Sequence, residues 1–213
     1  MHKSQLWLQE QHLDRVADAF RANHFETYVE PTRDLVNVRL LELISPGETV
    51  GFAGSITLNE IGIKHFLQER GNVILDPFHP GLTKAESLRV RREIFLSDVF
   101  ITGANAIVET GRIVNLDGTG NRVAATIFGP KRVVFVAGIN KVVPNLEAAM
   151  HRIYNTAAAA NCHRLDLKTP CADTGVCSDC TAVDRACCVT VITDRPPKWT
   201  PTIVILVNEP LGL

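Results

Sequence analysis

The sequence has no excess of charge of either sign, no apolar run long enough to cross a bilayer, and no cysteine before position 162. Each absence excludes something. Lys and Arg number 22 against 23 Asp and Glu, a net charge of −1, so no general basic field draws nucleic acid to the surface. The longest apolar runs, 133–138 and 203–207, fall far short of the roughly 20 residues of a membrane span. Residues 1–16 hold no uninterrupted hydrophobic stretch of the signal-peptide kind. The expected location is cytoplasmic, with neither nucleic acid nor membrane as partner. A Walker A loop and the Gly-x-Gly-x-x-Gly fingerprint are both missing, and with them any flavin or nicotinamide motif. There is no internal repeat and no low-complexity linker.

What is present is a chain of 213 residues, 46% hydrophobic and 21% charged, a mixture that folds rather than stays disordered and a length that suits one domain. Leu13, Val16, Ala17 and Phe20 predict a helix over 4–22. A second helix starts at Pro31-Thr32 and is closed by Pro46-Gly47, and others are expected over 58–68, 83–97 and 145–160. Strands are expected over 25–29, 49–53, 73–75, 99–103, 106–108, 133–137 and 202–207, with Ile113-Val114 following a turn at Gly111-Arg112. Strands alternating with helices define an α/β fold, a mainly parallel sheet with helices on both faces. The expected organisation is a single domain over 1–213 with a small cysteine-rich lobe at 161–190.

Two loops carry anion chemistry. Gly54-Ser55 falls where a strand hands over to a helix, a place where free N–H groups meet anions, with Ser55 or Thr57 supplying a hydroxyl. The alternative is an ordinary turn with a serine cap. Asn140-Lys141 follows the 133–138 strand at its carboxyl end, where open α/β sheets bind ligands. Between them, Asn105 and Arg122 offer an amide and a guanidinium fork for a carboxylate or phosphate, although Arg122 could equally pair with Asp117. Glu109 is the candidate for acid–base or nucleophilic work, since burial in an apolar strand-like segment would raise its pKa. Its alternative is a hairpin-end glutamate, solvated or paired with Arg112. Asp76, His79 and Arg91-Arg92 read as weaker candidates, the arginine pair as a solvated face, and Asp98 reads as a structural anchor.

All six cysteines lie between 162 and 188, and in a cytoplasmic chain such a cluster points to a metal or redox site rather than disulfides. Cys171, Cys177, Cys180 and Cys187 include one Cys-x-x-Cys and two flanking thiols, enough for one zinc ion or an iron–sulfur cluster. The spacing matches neither a ferredoxin run nor a zinc ribbon, and Cys162 and Cys188 are spare.

Three stretches, Gly51-Phe-Ala-Gly54-Ser55-Ile-Thr57-Leu-Asn-Glu-Ile-Gly62, Asp98 through Gly111, and Val133 through Val143, resemble the LUD-domain (lactate-utilization) proteins over nearly the whole chain. The tail from Thr169 to Cys187 resembles the stand-alone branch of that family that ends in a cysteine-rich segment. The resemblance implies a fold like the CoA-transferase and ribose-5-phosphate-isomerase superfamily, in which CoA transferases use a glutamate near a turn comparable to that of Glu109. It also implies a redox-associated role in lactate or 2-hydroxy-acid utilization, a small anionic metabolite as ligand, and iron–sulfur redox subunits as partners. On that association the cysteine centre is expected to be iron–sulfur before zinc. Two other readings stay open: a transferase- or isomerase-like enzyme acting on a phosphorylated or CoA-linked small molecule, and a non-catalytic ligand-binding module with a zinc-stapled lobe.

Overall fold

A computed structural model describes residues 2–213. In chain order the elements are α1 (Lys3–Ala22), β1 (Glu26–Glu30), α2 (Arg33–Leu43), β2 (Thr49–Phe52), α3 (Ile56–Ile61), α4 (Ile63–Glu69), β3 (Val73–Leu75), α5 (Lys84–Glu93), β4 (Val99–Gly103), β5 (Ala106–Val108) and β6 (Arg112–Asp117). There follow α6 (Asn121–Ile127), β7 (Arg132–Gly138), β8 (Val142–Val143), α7 (Leu146–Arg152), α8 (Ala159–Arg164), α9 (Pro170–Thr174), β9 (Val189–Thr193) and β10 (Thr202–Val207). The strands expected at 73–75, 99–103, 106–108 and 202–207 have those bounds.

Six strands form a wholly parallel sheet in the order β1-β10-β7-β4-β2-β3. Parallel strands buried on both faces need apolar side chains at every position, and β7 and β10 supply them. Val133, Phe135 and Ala137 of β7 point to one core, shared with Leu13, Val16 and Phe20 of α1. Val134 and Val136 point to the other, shared with Val36 and Leu40 of α2, Leu58 of α3 and Leu67 of α4. Helices thus cover both faces, as the sequence predicts.

The second sheet was not foreseen. It runs β8-β5-β6-β9, with β5 antiparallel to β6 and β6 antiparallel to β9. Ile107 and Ile113 face the α1 core, whereas Ala106, Val108, Val114 and Leu116 face a third core with Ala149 and Ile153. The helix expected over 58–68 is two helices, because Gly62 adopts φ +69°, a left-handed conformation that ends α3 and starts α4. The helix expected over 145–160 reaches Arg164, with a π-helical stretch, Ile153–Ala158, between α7 and α8. Such insertions re-aim the following side chains.

Asp98 is an anchor, as its position suggests. Its carboxylate accepts from Thr49 N (2.8 Å) and Thr49 Oγ1 (2.7 Å) and pairs with Lys131 Nζ at 2.7 Å, tying the starts of β2 and β4. Lys131 and the Thr49 donors hold its carboxyl well below the usual aspartate range of 3.8. The native state therefore gains from the ionised form above that value and loses the gain as pH falls below it. Asp98→Asn should cost about 1–2 kcal/mol at pH 7, with the gap to the parent narrowing below pH 4 in urea titrations.

Candidate functional site

The carboxyl ends of β2, β4 and β7 open into one cavity of about 710 Å³, within the roughly 300–1,000 Å³ usual for small-molecule sites. Its floor is marked by Gly103, the last residue of β4. A Cβ there would lie 2.9 Å from Ser55 Oγ, 3.4 Å from Thr57 Oγ1 and 3.7 Å from Lys141 Nζ. Three polar groups, two from the β2–α3 junction and one from the turn after β7, therefore converge on the space a side chain would fill.

Lys141 is the most unusual of them. It is 4% exposed, in the single turn that follows β7. Its Nζ donates to Thr57 Oγ1 at 2.8 Å, and among the described residues no carboxylate pairs with it. Burial, then the nearby Arg152 and Arg122, lower its pKa to about 7 against a weak opposing pull from Glu60. Asn140 does not line the cavity. Its Oδ1 accepts from Leu211 N (3.0 Å) and its Nδ2 donates to Gly212 O (3.2 Å), so it ties residues 211–212 beside Lys141.

Asn105 and Arg122 form the adjoining wall. Asn105 Oδ1 accepts from Leu116 N (2.9 Å) and from Arg122 Nη2 (2.8 Å), and Asn115 Oδ1 accepts from Asn105 N at 3.0 Å. Arg122 Nη2 also donates to Leu116 O, and Nε stands 3.8 Å from Asp117. Arg122 is thus held structurally on one side, while Nη1 has no partner among the described residues. Arg152, which spacing alone did not single out, donates to Asn105 O (2.5 Å) and Asn140 O (3.1 Å) and braces the two loops.

Ser55 caps the next helix, accepting from Leu58 N at 3.4 Å, and that helix is only six residues long. The turn reading therefore describes Gly54-Ser55 well. The outer cavity adds Arg91, stacked 4.8 Å over Phe78, with Arg164 and Arg185. Arg91 belongs to this wall, not to a solvated face. Lys64 there is already paired with Asp76 at 2.5 Å. On a chain of net charge −1, the lining collects six basic residues (Lys64, Arg91, Arg122, Lys141, Arg164, Arg185) against Asp76, Asp117 and Asp184.

Glu109 is not brought to this cavity. It lies at the β5–β6 turn with its side chain 42% exposed and Oε1 3.0 Å from His12 Nε2, so the expected burial is not found. Arg112, the partner considered for it, pairs with Asp194 at 3.0 Å. His79 is exposed, its ring bonded to Pro80 O at 2.9 Å.

The cysteines are spread along their lobe. Among the described residues no three His, Cys, Asp or Glu side chains come together to hold a metal ion. Cys171, Cys177, Cys180 and Cys187 are thus not gathered as one set of four thiols in this arrangement. The Arg185 guanidinium lies within the lobe, donating to Cys180 O at 2.6 Å and to Cys187 Sγ at 3.2 Å. The buried Cys162, set aside by spacing, is instead the neighbour of Cys171, and burial pushes its thiol up.

The basic cavity thus lies beyond the carboxyl ends of the parallel strands of an α/β fold. The chain belongs to the LUD-domain family, whose model, described as "LUD domain", matches residues 13–207. A solved structure described as a DUF162-family protein from Deinococcus radiodurans shares the fold, with TM-score 0.54 and 14% identity over 94% of this chain and 98% of that one. No curated protein matches. Among the described residues no helix is long and apolar enough to cross a membrane.

Proposed function

We propose that this chain binds a small carboxylate metabolite for lactate-type 2-hydroxy-acid utilization, with electrons passed to partner redox subunits. The observation that carries this reading is the pair of buried Lys141, which no carboxylate partners among the described residues, and half-buried Arg122, in a basic cavity formed by the loops after β2, β4 and β7. A guanidinium with Nη1 unpartnered and an amine beside two hydroxyls suit a carboxylate carrying a second oxygen on the next carbon. Family membership supports the metabolic setting.

The size of the cavity, about 710 Å³, exceeds what a three-carbon acid fills. Together with Arg91, Arg164 and Arg185 at its outer end, it favours as second reading a phosphorylated or CoA-linked substrate of a transferase or isomerase. Calorimetry with L-lactate and pyruvate, set beside glycerol 3-phosphate and coenzyme A, separates the two. Gly103→Ala should weaken whichever ligand binds at least tenfold, about 1.4 kcal/mol, because its methyl group enters the space shared by Ser55, Thr57 and Lys141. Binding as tight as the parent's in that variant would sink both readings.

A further inference from the structure

A buried lysine is a costly way to place a positive charge, and this cavity already has arginines for that purpose. Arg122 keeps its charge at any accessible pH; Lys141 does not. With its pKa near 7, about half of the Lys141 side chains carry a free lone pair at neutral pH. That lone pair is what an arginine cannot offer. The remaining geometry suits its use: Nζ lies at the floor of an open cavity, held by one hydrogen bond to Thr57 Oγ1 at 2.8 Å, with the Ser55 hydroxyl beside the same spot.

We propose that Lys141 forms an imine with the carbonyl carbon of a small 2-oxo carboxylate seated in this cavity, its carboxylate on Nη1 of Arg122. This rests on the carboxylate reading above. The amine nitrogen bonds to the carbonyl carbon, and the carbonyl oxygen gains protons and leaves as water. The nitrogen gives up its two protons, so the exchange is amine plus ketone to imine plus water, with no oxidant or reductant. The Thr57 and Ser55 hydroxyls are placed to relay the protons. Once protonated, the imine draws electrons from the adjacent carbon, so protons on that carbon exchange with solvent.

The charged groups that act on Lys141 are Arg122 from α6, Arg152 from α7 and Glu60 from α3. Ionic capture of a carboxylate weakens as Lys141 loses its proton above pH 7, whereas imine formation needs that loss. The two therefore respond oppositely to pH.

The test incubates the whole protein with pyruvate and sodium cyanoborohydride, followed by intact-mass and peptide mapping. One reduced pyruvate adduct per chain is expected, on Lys141, rising in yield from pH 6 to pH 8. L-lactate, which has the carboxylate and no carbonyl, should compete, and acetone should label at least tenfold less. Without reductant, the methyl protons of pyruvate should exchange with deuterated water faster than with Lys141→Arg protein. Calorimetric binding of pyruvate with neither adduct nor exchange would overturn the imine and leave the carboxylate reading intact. Labelling spread over Lys3, Lys84 and Lys198 would also overturn it. If neither lactate nor pyruvate binds, the carboxylate reading itself falls.

Discussion

Lys141→Met is expected to yield a protein that is more stable than its parent at neutral pH and unable to bind its ligand. In the unfolded chain the amine titrates near 10.5, and in the fold near 7. Between those values the unfolded state holds more protons, so parent stability rises with pH across this window and levels off above it. Below pH 7 the full penalty applies, on the order of 5 kcal/mol for that difference. Losing the bond to Thr57 returns about 1–2 kcal/mol of it, leaving the variant ahead by about 3 kcal/mol. For a chain of this size that raises Tm by roughly 6–12 °C. Urea midpoints from pH 6 to pH 10.5 check the sign: the two proteins should converge as pH rises. Parallel curves would show that Lys141 is not buried with its proton disfavoured. A destabilising residue kept at the centre of a cavity is what function, not folding, asks for.

Gly111→Ala should be strongly destabilising. Gly111 turns the chain between β5 and β6 with φ +78°, and a Cβ there would lie 2.6 Å from both the carbonyl carbon and oxygen of Ala19. Those atoms belong to the last turn of α1 and cannot swing aside as a side chain would. Asn23, just past that helix, donates to Thr110 O and Gly111 O at 2.9 Å each, so the contact is fixed from both sides. Left-handed strain contributes about 1–2 kcal/mol and overpacking about 1–3 kcal/mol. Together these should lower Tm by roughly 10 °C, read by circular dichroism. An unchanged transition would mean that α1 does not rest on this turn.

These residues also show what a sequence discloses. Strands β4, β7 and β10 were legible because burial on both faces demands unbroken apolar runs, and nothing else in the chain has that pattern. Sheet β8-β5-β6-β9 was not, because β6 buries Asn115 and β9 is short and half-exposed, so neither shows a clean period. Lys141 was found through its place after a strand, a topological rule. Glu109 was misplaced for a related reason: an acidic residue after Ala106–Val108 looks buried in one dimension, while the β5–β6 turn carries it out toward His12. Arg152 left no signal at all, since its partners are backbone oxygens brought near only by folding.

Strand β9 gives the cysteine segment a standing that its composition conceals. The segment leaves α8 at the cavity wall, brings Arg185 and Ala186 to that wall, and returns as β9 to pair with β6 from Val189–Asp117 to Thr193–Ile113. At Gly118 the fit is so close that a Cβ would lie 2.9 Å from the Ala186 backbone. It is therefore no detachable module. Its tip at Val183 is fully exposed and borders the same cavity. Excision of 161–190 would strip a side from the binding cavity and bare the edge of a sheet, trading a ligand site for an aggregation edge.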